Sequence, residues 1–172
     1  MKSFFLQTAI SRSEYYKSLG ESAFSQLTEE EIHFCYRTED NNIAILVKHI
    51  GGNLRSRWTD FQNSDGEKPW RNRDAEFEDD IKGLKELQNI WDVGWLCFIL
   101  ALKKLNPKDL LNDVYIRKEK HTVLAAIQRQ LNHNAYHIGQ IIYLAKSIRG
   151  ENWKNLSISK GDSALFNKKL GM

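Results

Sequence analysis

Only two prolines, Pro69 and Pro107, interrupt this chain of 172 residues. Proline is the strongest helix breaker, so most of the chain is free to form long helices. Hydrophobic periodicity and end signals predict four of them, at about residues 4–27, 43–61, 78–105 and 122–148. Long helical segments with short connections favour an all-α, up-down four-helix bundle. We expect residues 1–172 to form a single domain.

Polar turns separate these segments. Thr28 and Glu31 fit a capping box, and Asn42 can cap the second helix. Turn-forming residues at 63–69 predict a loop. Residues 109–121 precede the last long helix and predict either a small hairpin or an irregular connection. The role of residues 31–40 is ambiguous, and the tail at 151–172 shows no helical period.

The charge pattern bears on possible partners. The net charge is only +3, and basic residues alternate with acidic ones along most of the chain. A nucleic-acid-binding protein usually carries a concentrated basic stripe, so no nucleic-acid partner is expected. The nearest candidate is an arginine cluster interleaved with acidic residues, which we interpret mainly as solvated surface. Its members are Arg55, Arg57, Arg71 and Arg73.

Cysteine usage and hydropathy bear on location. Cys35 and Cys97 match neither a disulfide framework nor a cysteine-based zinc site, which favours the reducing cytoplasm. The first residues turn polar too early for a signal peptide. The longest apolar run, 93–102, is far shorter than the roughly 20 residues of a membrane span. We therefore expect a cytoplasmic protein without a membrane partner.

The clearest chemical signal is a histidine pair in the fourth helix. His133 and His137 lie four residues apart, so both imidazoles leave the same helix face, one turn apart. One metal ion can bind such a pair. Gln130 and Gln140 share this flank of the apolar stripe, where they can orient the histidines or simply contact water. The spacing leaves open a helix flank on which both rings contact water.

A third histidine lies in the second helix. By helical projection, His49 lies away from the centre of the apolar stripe, on a face shared with Asn53. The neighbouring Gly51-Gly52 pair costs a helix roughly 1 kcal/mol per glycine relative to alanine. That cost indicates a close helix approach, space for a ligand, or a helix end at this point. Periodicity alone does not make His49 a ligand.

Three longer motifs resemble a known superfamily. The stretches VKHIGGNLRSRWTDF (47–61), DGEKPWRNRD (65–74) and IQRQLNH (127–133) with HIGQI (137–141) are similar to the DinB/YfiT-like metalloenzymes. The tail WKNLSI (153–158) with Phe166-Asn167 shares the resemblance, which points to one uncharacterised bacterial subgroup.

The resemblance implies an up-down four-helix bundle with a metal-binding triad at one end. One histidine comes from the second helix and an HxxxH pair from the fourth, which correspond to His49, His133 and His137. It implies a divalent metal such as zinc, nickel or iron. Some superfamily members are transferases that use a low-molecular-weight thiol such as bacillithiol or mycothiol, and homodimers are common among them.

These expectations combine into a functional hypothesis. Three imidazoles leave at least one coordination position open, as in catalytic rather than structural metal sites. We therefore expect a metal-dependent transferase or hydrolase acting on a small molecule. Asn53 and Arg57 follow His49 by one and two turns and are candidate substrate contacts, although Arg57 can equally be a surface residue paired with Asp60 or Asp74. The rival hypothesis is a non-catalytic, metal-binding or structural helical protein.

Overall fold

A computed structural model describes residues 4–171 of the chain. Within them lie five α-helices and one antiparallel hairpin, so the protein is mostly helical, as the sequence predicts. The helices are α1 (Phe4–Phe24), α2 (Ile43–Trp58), α3 (Leu84–Lys104), α4 (Val123–Arg149) and α5 (Ser163–Lys169). The strands are β1 (Asp113–Ile116) and β2 (Glu119–Thr122).

The predicted capping signals at Thr28 and Asn42 form, and Thr122 provides a further cap that was not predicted. Asn42 accepts a hydrogen bond from the Ile45 N–H at 2.9 Å and so begins α2. Thr122 caps α4 in the same way, through the Ala125 N–H at 3.1 Å. The Thr28–Glu31 capping box is also present, but it begins a short 3₁₀ turn rather than an α-helix.

Two helix ends differ from their predicted positions. α2 ends at Trp58 rather than near Phe61, because Asp60 adopts a positive φ of 45° that a helix does not allow. α3 begins at Leu84 rather than near residue 78, directly after Gly83 at φ 112°. Residues 59–83 thus form a longer connection, which includes a 3₁₀ turn at Asp74–Phe77.

The segment before α4 is a hairpin, the more ordered of the two predicted alternatives. Its two-residue turn places Arg117 and Lys118 at φ 56° and 64°, the left-handed region that tight hairpin turns require. The Asp65 carboxylate accepts both of their N–H groups, at 2.8 and 2.7 Å. The same carboxylate accepts the Glu67 N–H at 2.7 Å. The connection after α2 is therefore fastened to the hairpin.

α2 packs against α3 on one side and α4 on the other, while α1 packs against α3 and α4. The core among them is apolar and rich in aromatic side chains, and Trp91, Trp95 and Phe98 are fully buried. Among the described residues, no helix is both long enough and apolar enough to cross a membrane. Against this apolar core, the polar side chains buried between α2 and α4 stand out.

Candidate metal centre

Three histidines converge between α2 and α4. His49 on α2 is only 6% exposed, and its Nε2 lies 3.3 Å from His133 Nε2 on α4. The ring of His137, one turn further along α4, is centred 5.0 Å from the His49 ring and 4.5 Å from the His133 ring. One ligand nitrogen from each ring lies within 4.8 Å of the other two. The structure thus brings together all three histidines singled out in the sequence.

A carboxylate fixes the orientation of His49. The Glu76 Oε2 lies 3.0 Å from His49 Nδ1, and a carboxylate oxygen can only accept there, so Nδ1 carries the proton. In the neutral ring this leaves the Nε2 lone pair directed toward His133. Such a carboxylate–histidine pair is the usual outer support of a metal-binding imidazole.

Glu76 is itself held in place by Arg71. The guanidinium donates Nε–H to Oε1 at 2.7 Å and Nη2–H to Oε2 at 2.9 Å. This planar, two-point contact fixes the carboxylate in direction as well as position. Although burial, the largest influence, raises the pKa of Glu76, the hydrogen bonds from His49 and Arg71 outweigh it and leave the pKa below its usual value. The carboxylate is therefore ionised at neutral pH.

The Gly51-Gly52 pair explains how the Glu76 carboxylate can approach α2 closely. A Cβ on Gly52 would lie 2.3 Å from Glu76 Oε1, and a Cβ on Gly51 would lie 2.7 Å from the Ile90 side chain of α3. No side chain fits at either position without displacing its neighbour. Of the alternatives left open by the sequence, the close helix approach is the one observed, and α2 continues through both glycines.

The two histidines of α4 differ in their support. His137 Nδ1 lies 2.7 Å from Gln140 Oε1, an acceptor, so the Nδ1 proton again leaves Nε2 free to bind. His133 Nδ1 is buried without a hydrogen-bond partner. Burial, and then the neighbouring His137 and His49, lower the pKa of His133 to about 3. Burial likewise lowers the pKa of His137. Both rings are neutral at pH 7, the form that binds metal.

The remaining candidate residues lie beside the histidines. Gln130 bonds to no histidine; its amide accepts from Trp58 Nε1 at 3.0 Å and donates to Asn53 Oδ1 at 3.1 Å and Asn134 Oδ1 at 2.8 Å. Asn53 and Arg57 line a cavity that reaches His133. Arg57 pairs with Glu67 at 3.3 Å rather than with either acidic residue considered from the sequence.

The interpretation of the arginine cluster as solvated surface is wrong for Arg57 and Arg71. Their side chains are 10% and 2% exposed, because residues 59–83 fold back over α2 and bury them. Sequence reasoning accordingly missed Arg71 and Glu76 as supports of His49. They lie in an irregular connection, where no periodicity assigns a side chain to a face. The glycine pair beside His49 was the one signal that something must approach that helix closely.

The fold and this cluster define a mostly helical protein with a candidate three-histidine metal centre. A family model described as "Protein of unknown function (DUF1572)" matches residues 1–162, and the chain belongs to that family. No curated protein matches the chain, and no solved structure does. The family description names no reaction, so the function must be argued from the site itself.

Proposed function

We propose that this protein binds one divalent metal ion through His49, His133 and His137 and uses it to act on a small molecule. The observation that carries the proposal is the convergence of three imidazoles from two helices, with the Nδ1 protons of two of them directed away from the common point. Imidazole nitrogens that converge in this way are a donor set for a divalent metal ion.

The donor set fits such an ion. Zinc–nitrogen bonds of about 2.0–2.1 Å at tetrahedral angles separate two ligand nitrogens by about 3.4 Å. The two Nε2 atoms of His49 and His133 lie 3.3 Å apart. The three donors all lie within 4.8 Å of one another, so small ring movements would bring them to one ion. Three imidazoles suit zinc, nickel and iron alike, so we propose a divalent ion from this group.

We further infer that the long helices α1 to α4 form a DinB/YfiT-like up-down four-helix bundle. The pairing of α2 with α3 and of α1 with α4 supports this topology. The homodimeric state and the bacterial subgroup rest on the sequence resemblance, and the cytoplasmic location rests on cysteine usage and hydropathy. These remain predictions.

A divalent ion with an open coordination position would supply a Lewis acid that lowers the pKa of a bound water or thiol. The protein's own residues would orient the ligands through Glu76 and Gln140 and admit the substrate past His133. We propose a transferase that uses a low-molecular-weight thiol, or a hydrolase. The thiol is supported by the resemblance alone.

Metal content tests the proposal directly. Elemental analysis of purified protein, incubated with zinc and then dialysed, should give one ion per chain for the wild type. The value should fall to near zero for His49→Ala, His133→Ala and His137→Ala. His33→Ala and His121→Ala, which remove histidines outside the cluster, should keep the full content. Equal content in all six proteins would overturn the proposal.

Turnover then separates an enzyme from a protein that only binds metal. The zinc, nickel and iron forms should be assayed with bacillithiol or mycothiol plus an electrophile, and with hydrolysable esters and amides. Turnover that disappears in His137→Ala would support the catalytic part. One ion per chain without turnover on any substrate would leave a metal-binding protein and would remove the catalytic part.

A further inference from the structure

A cavity runs beside the histidine cluster, between α2, the hairpin and the first half of α4. Its volume is about 80 Å³, or about 520 Å³ when the space at the open mouth is included, so it suits a small ligand rather than a polymer. His133 belongs to its wall, and the cavity therefore leads to the candidate metal centre.

The charged groups on this wall are all basic. Arg57 and Arg129 line the cavity, and no acidic residue appears among its described lining residues. Glu67 lies outside this lining, 3.3 Å from Arg57 Nη2, but it also accepts a shorter bond of 2.8 Å from Arg117 Nε. Arg71 Nη1 also lies 3.9 Å from Glu67, so this carboxylate divides its charge among three guanidinium groups.

Arg57 retains an unused hydrogen-bonding group. Its side chain is 10% exposed, and its Nη1 is buried without a hydrogen-bond partner. This nitrogen lies beside Gly66 and is closed to solvent, so a ligand in the cavity would meet the other atoms of the Arg57 side chain. Burial, the largest influence, lowers the pKa of Arg57. An arginine nevertheless stays charged at neutral pH, since its ordinary pKa lies so far above 7.

The rest of the wall is largely apolar. Trp58 is the last residue of α2, Phe61 lies in the connection that follows it, and Val114 and Ile116 come from the hairpin. All four are buried, so their faces are held in place before any ligand arrives. A ligand matched to this wall needs an apolar body and one anionic group for the arginines.

We propose that this cavity binds a small organic carboxylate, with its anionic group at Arg57 and Arg129 and its body against the apolar wall. The planar fork of a guanidinium matches a carboxylate in two-point geometry. Arg57 holds the anion, and Arg129, 53% exposed and in only a long, exposed ion pair with Glu119 at 3.8 Å, draws it to the mouth. This assignment of a substrate class rests on the proposed function, because it presumes a metal beside His133.

Binding of matched carboxylates and amides tests the assignment. Acetate, butyrate and benzoate should be titrated into the zinc-loaded protein, each against its uncharged amide, and followed by NMR. We expect each carboxylate that binds to do so at least about tenfold more tightly than its amide. The Trp58 indole N–H signal should shift on binding, because Trp58 lines the cavity. Equal affinity for the two series, or no binding by any carboxylate, would overturn the assignment.

Three variants locate the anion. Arg57→Gln should weaken benzoate binding about tenfold, and Arg129→Gln should weaken it a few-fold because that side chain is half exposed. Arg117→Gln is the matched control: it contacts the same Glu67 carboxylate but does not line the cavity. It should bind benzoate as the wild type does. An equal loss in Arg57→Gln and Arg117→Gln would show that Arg57 serves only the ion pair with Glu67, which would overturn the assignment.

Circular dichroism checks that each variant folds. If Arg57→Gln does not fold, Arg57→Lys replaces it. This variant keeps the positive charge but loses the planar fork, so it should bind benzoate more weakly than the wild type. Benzoate affinity in His137→Ala, which lacks one proposed ligand outside the cavity wall, separates this inference from the proposed function. Carboxylate preference retained in His137→Ala would support the cavity assignment independently of the metal. A wild type that shows this preference but binds no metal would refute only the metal proposal, and a metal-loaded wild type without the preference would refute only the cavity assignment.

Discussion

The two sides of α2 pack by opposite means. Toward α3 the backbones nearly touch, since a Cβ on Gly94 would lie 2.7 Å from the Gly51 Cα. Toward α4 the helices meet through polar side chains, with Asn53 bonded to Gln130 and His49 beside His133. One face of a single helix therefore lacks room for a side chain at Gly51, while the other holds a buried layer of hydrogen-bonding groups.

This contrast indicates where stability and where function reside. At Gly51 and Gly94 the α2–α3 contact leaves no space between the two backbones, and it fixes α2 in the core. The α2–α4 contact contains buried groups without partners, His133 Nδ1 and Asn134 Nδ2. Unsatisfied buried polar groups in a folded protein call for an explanation, and a ligand site is a common one. Changes on the first side should affect folding, and changes on the second should affect binding.

The largest effect is expected at the α2–α3 contact. Gly94→Val should lower the free energy of unfolding by about 3 kcal/mol, because its side chain meets the backbone of Gly51, which cannot move aside. Chemical denaturation measures this. Gly139 on α4 has nothing within 4 Å of its Cβ position. Gly139→Ala should therefore stabilise the protein by up to about 1 kcal/mol through helix propensity. A Gly94→Val protein as stable as the wild type would show that the contact is looser than described.

The next largest effect is expected at Glu76, whose carboxylate orients His49. Glu76→Gln should weaken zinc binding about 10–100-fold, because the amide no longer holds the Nδ1 proton with a full charge. Competition with a chromophoric chelator measures the affinity. Glu78→Gln removes the same charge two residues along, at an exposed position, and should bind zinc normally. If Glu76→Gln lost stability but kept wild-type zinc affinity, Glu76 would serve the fold alone.

A pH effect should distinguish His133 from a histidine outside the cluster. Its pKa is about 3 in the folded protein against 6.5 in its ordinary state, so the unfolded chain takes up the proton first. The contribution of the neutral ring to the free energy of unfolding is complete above pH 6.5 and is lost as the pH falls from 6.5 toward 3. In metal-free protein the free energy of unfolding should be lower at pH 5 than at pH 7 by on the order of 1–2 kcal/mol. Denaturation at pH 7 and pH 5 should show it in the wild type.

His133→Gln removes this titrating group and should show a smaller decrease in stability between pH 7 and pH 5. His33→Gln should retain the wild-type decrease, because it leaves the cluster unchanged. An identical decrease in the wild type and in His133→Gln would mean that His133 is not held in its neutral form by burial.

The smallest effect is expected at the support of His137. Gln140→Ala removes the acceptor of the Nδ1 proton, but the ring is only partly buried and water can take its place. Zinc affinity should fall only a few-fold, well short of the change in Glu76→Gln. A larger loss in Gln140→Ala than in Glu76→Gln would reverse the ranking of the two supports and place the more important one on α4.

The sequence predicted most of what depends on local pattern. Helix periodicity located α2 and α4, the capping residues at 40–42 marked the start of α2, and the spacing of His133 and His137 placed both on one face. The meeting of His49 with that pair is a tertiary contact, and it was expected from resemblance rather than from periodicity. The four-helix-bundle topology itself stays a prediction.

What the sequence did not reveal depends on the irregular connection between α2 and α3. Glu76 and Arg71 reach His49 only because residues 59–83 are fastened to the hairpin through Asp65 and folded across Gly52. No local rule assigns a fold to such a segment. The same cause made Arg57 and Arg71 look like surface residues. Charged residues in a long connection are solvated unless distant parts of the chain bury them, and here they do.

X-ray absorption spectroscopy of the zinc-loaded protein tests the central claim most directly, because it counts the imidazoles on the metal. The account predicts a first shell of nitrogen and oxygen at about 2.0–2.1 Å with outer-shell scattering from three imidazole rings, falling to two in His49→Ala at saturating zinc. A spectrum that shows one imidazole or none, unchanged by His49→Ala, would contradict the claim that rings from α2 and α4 share one ion.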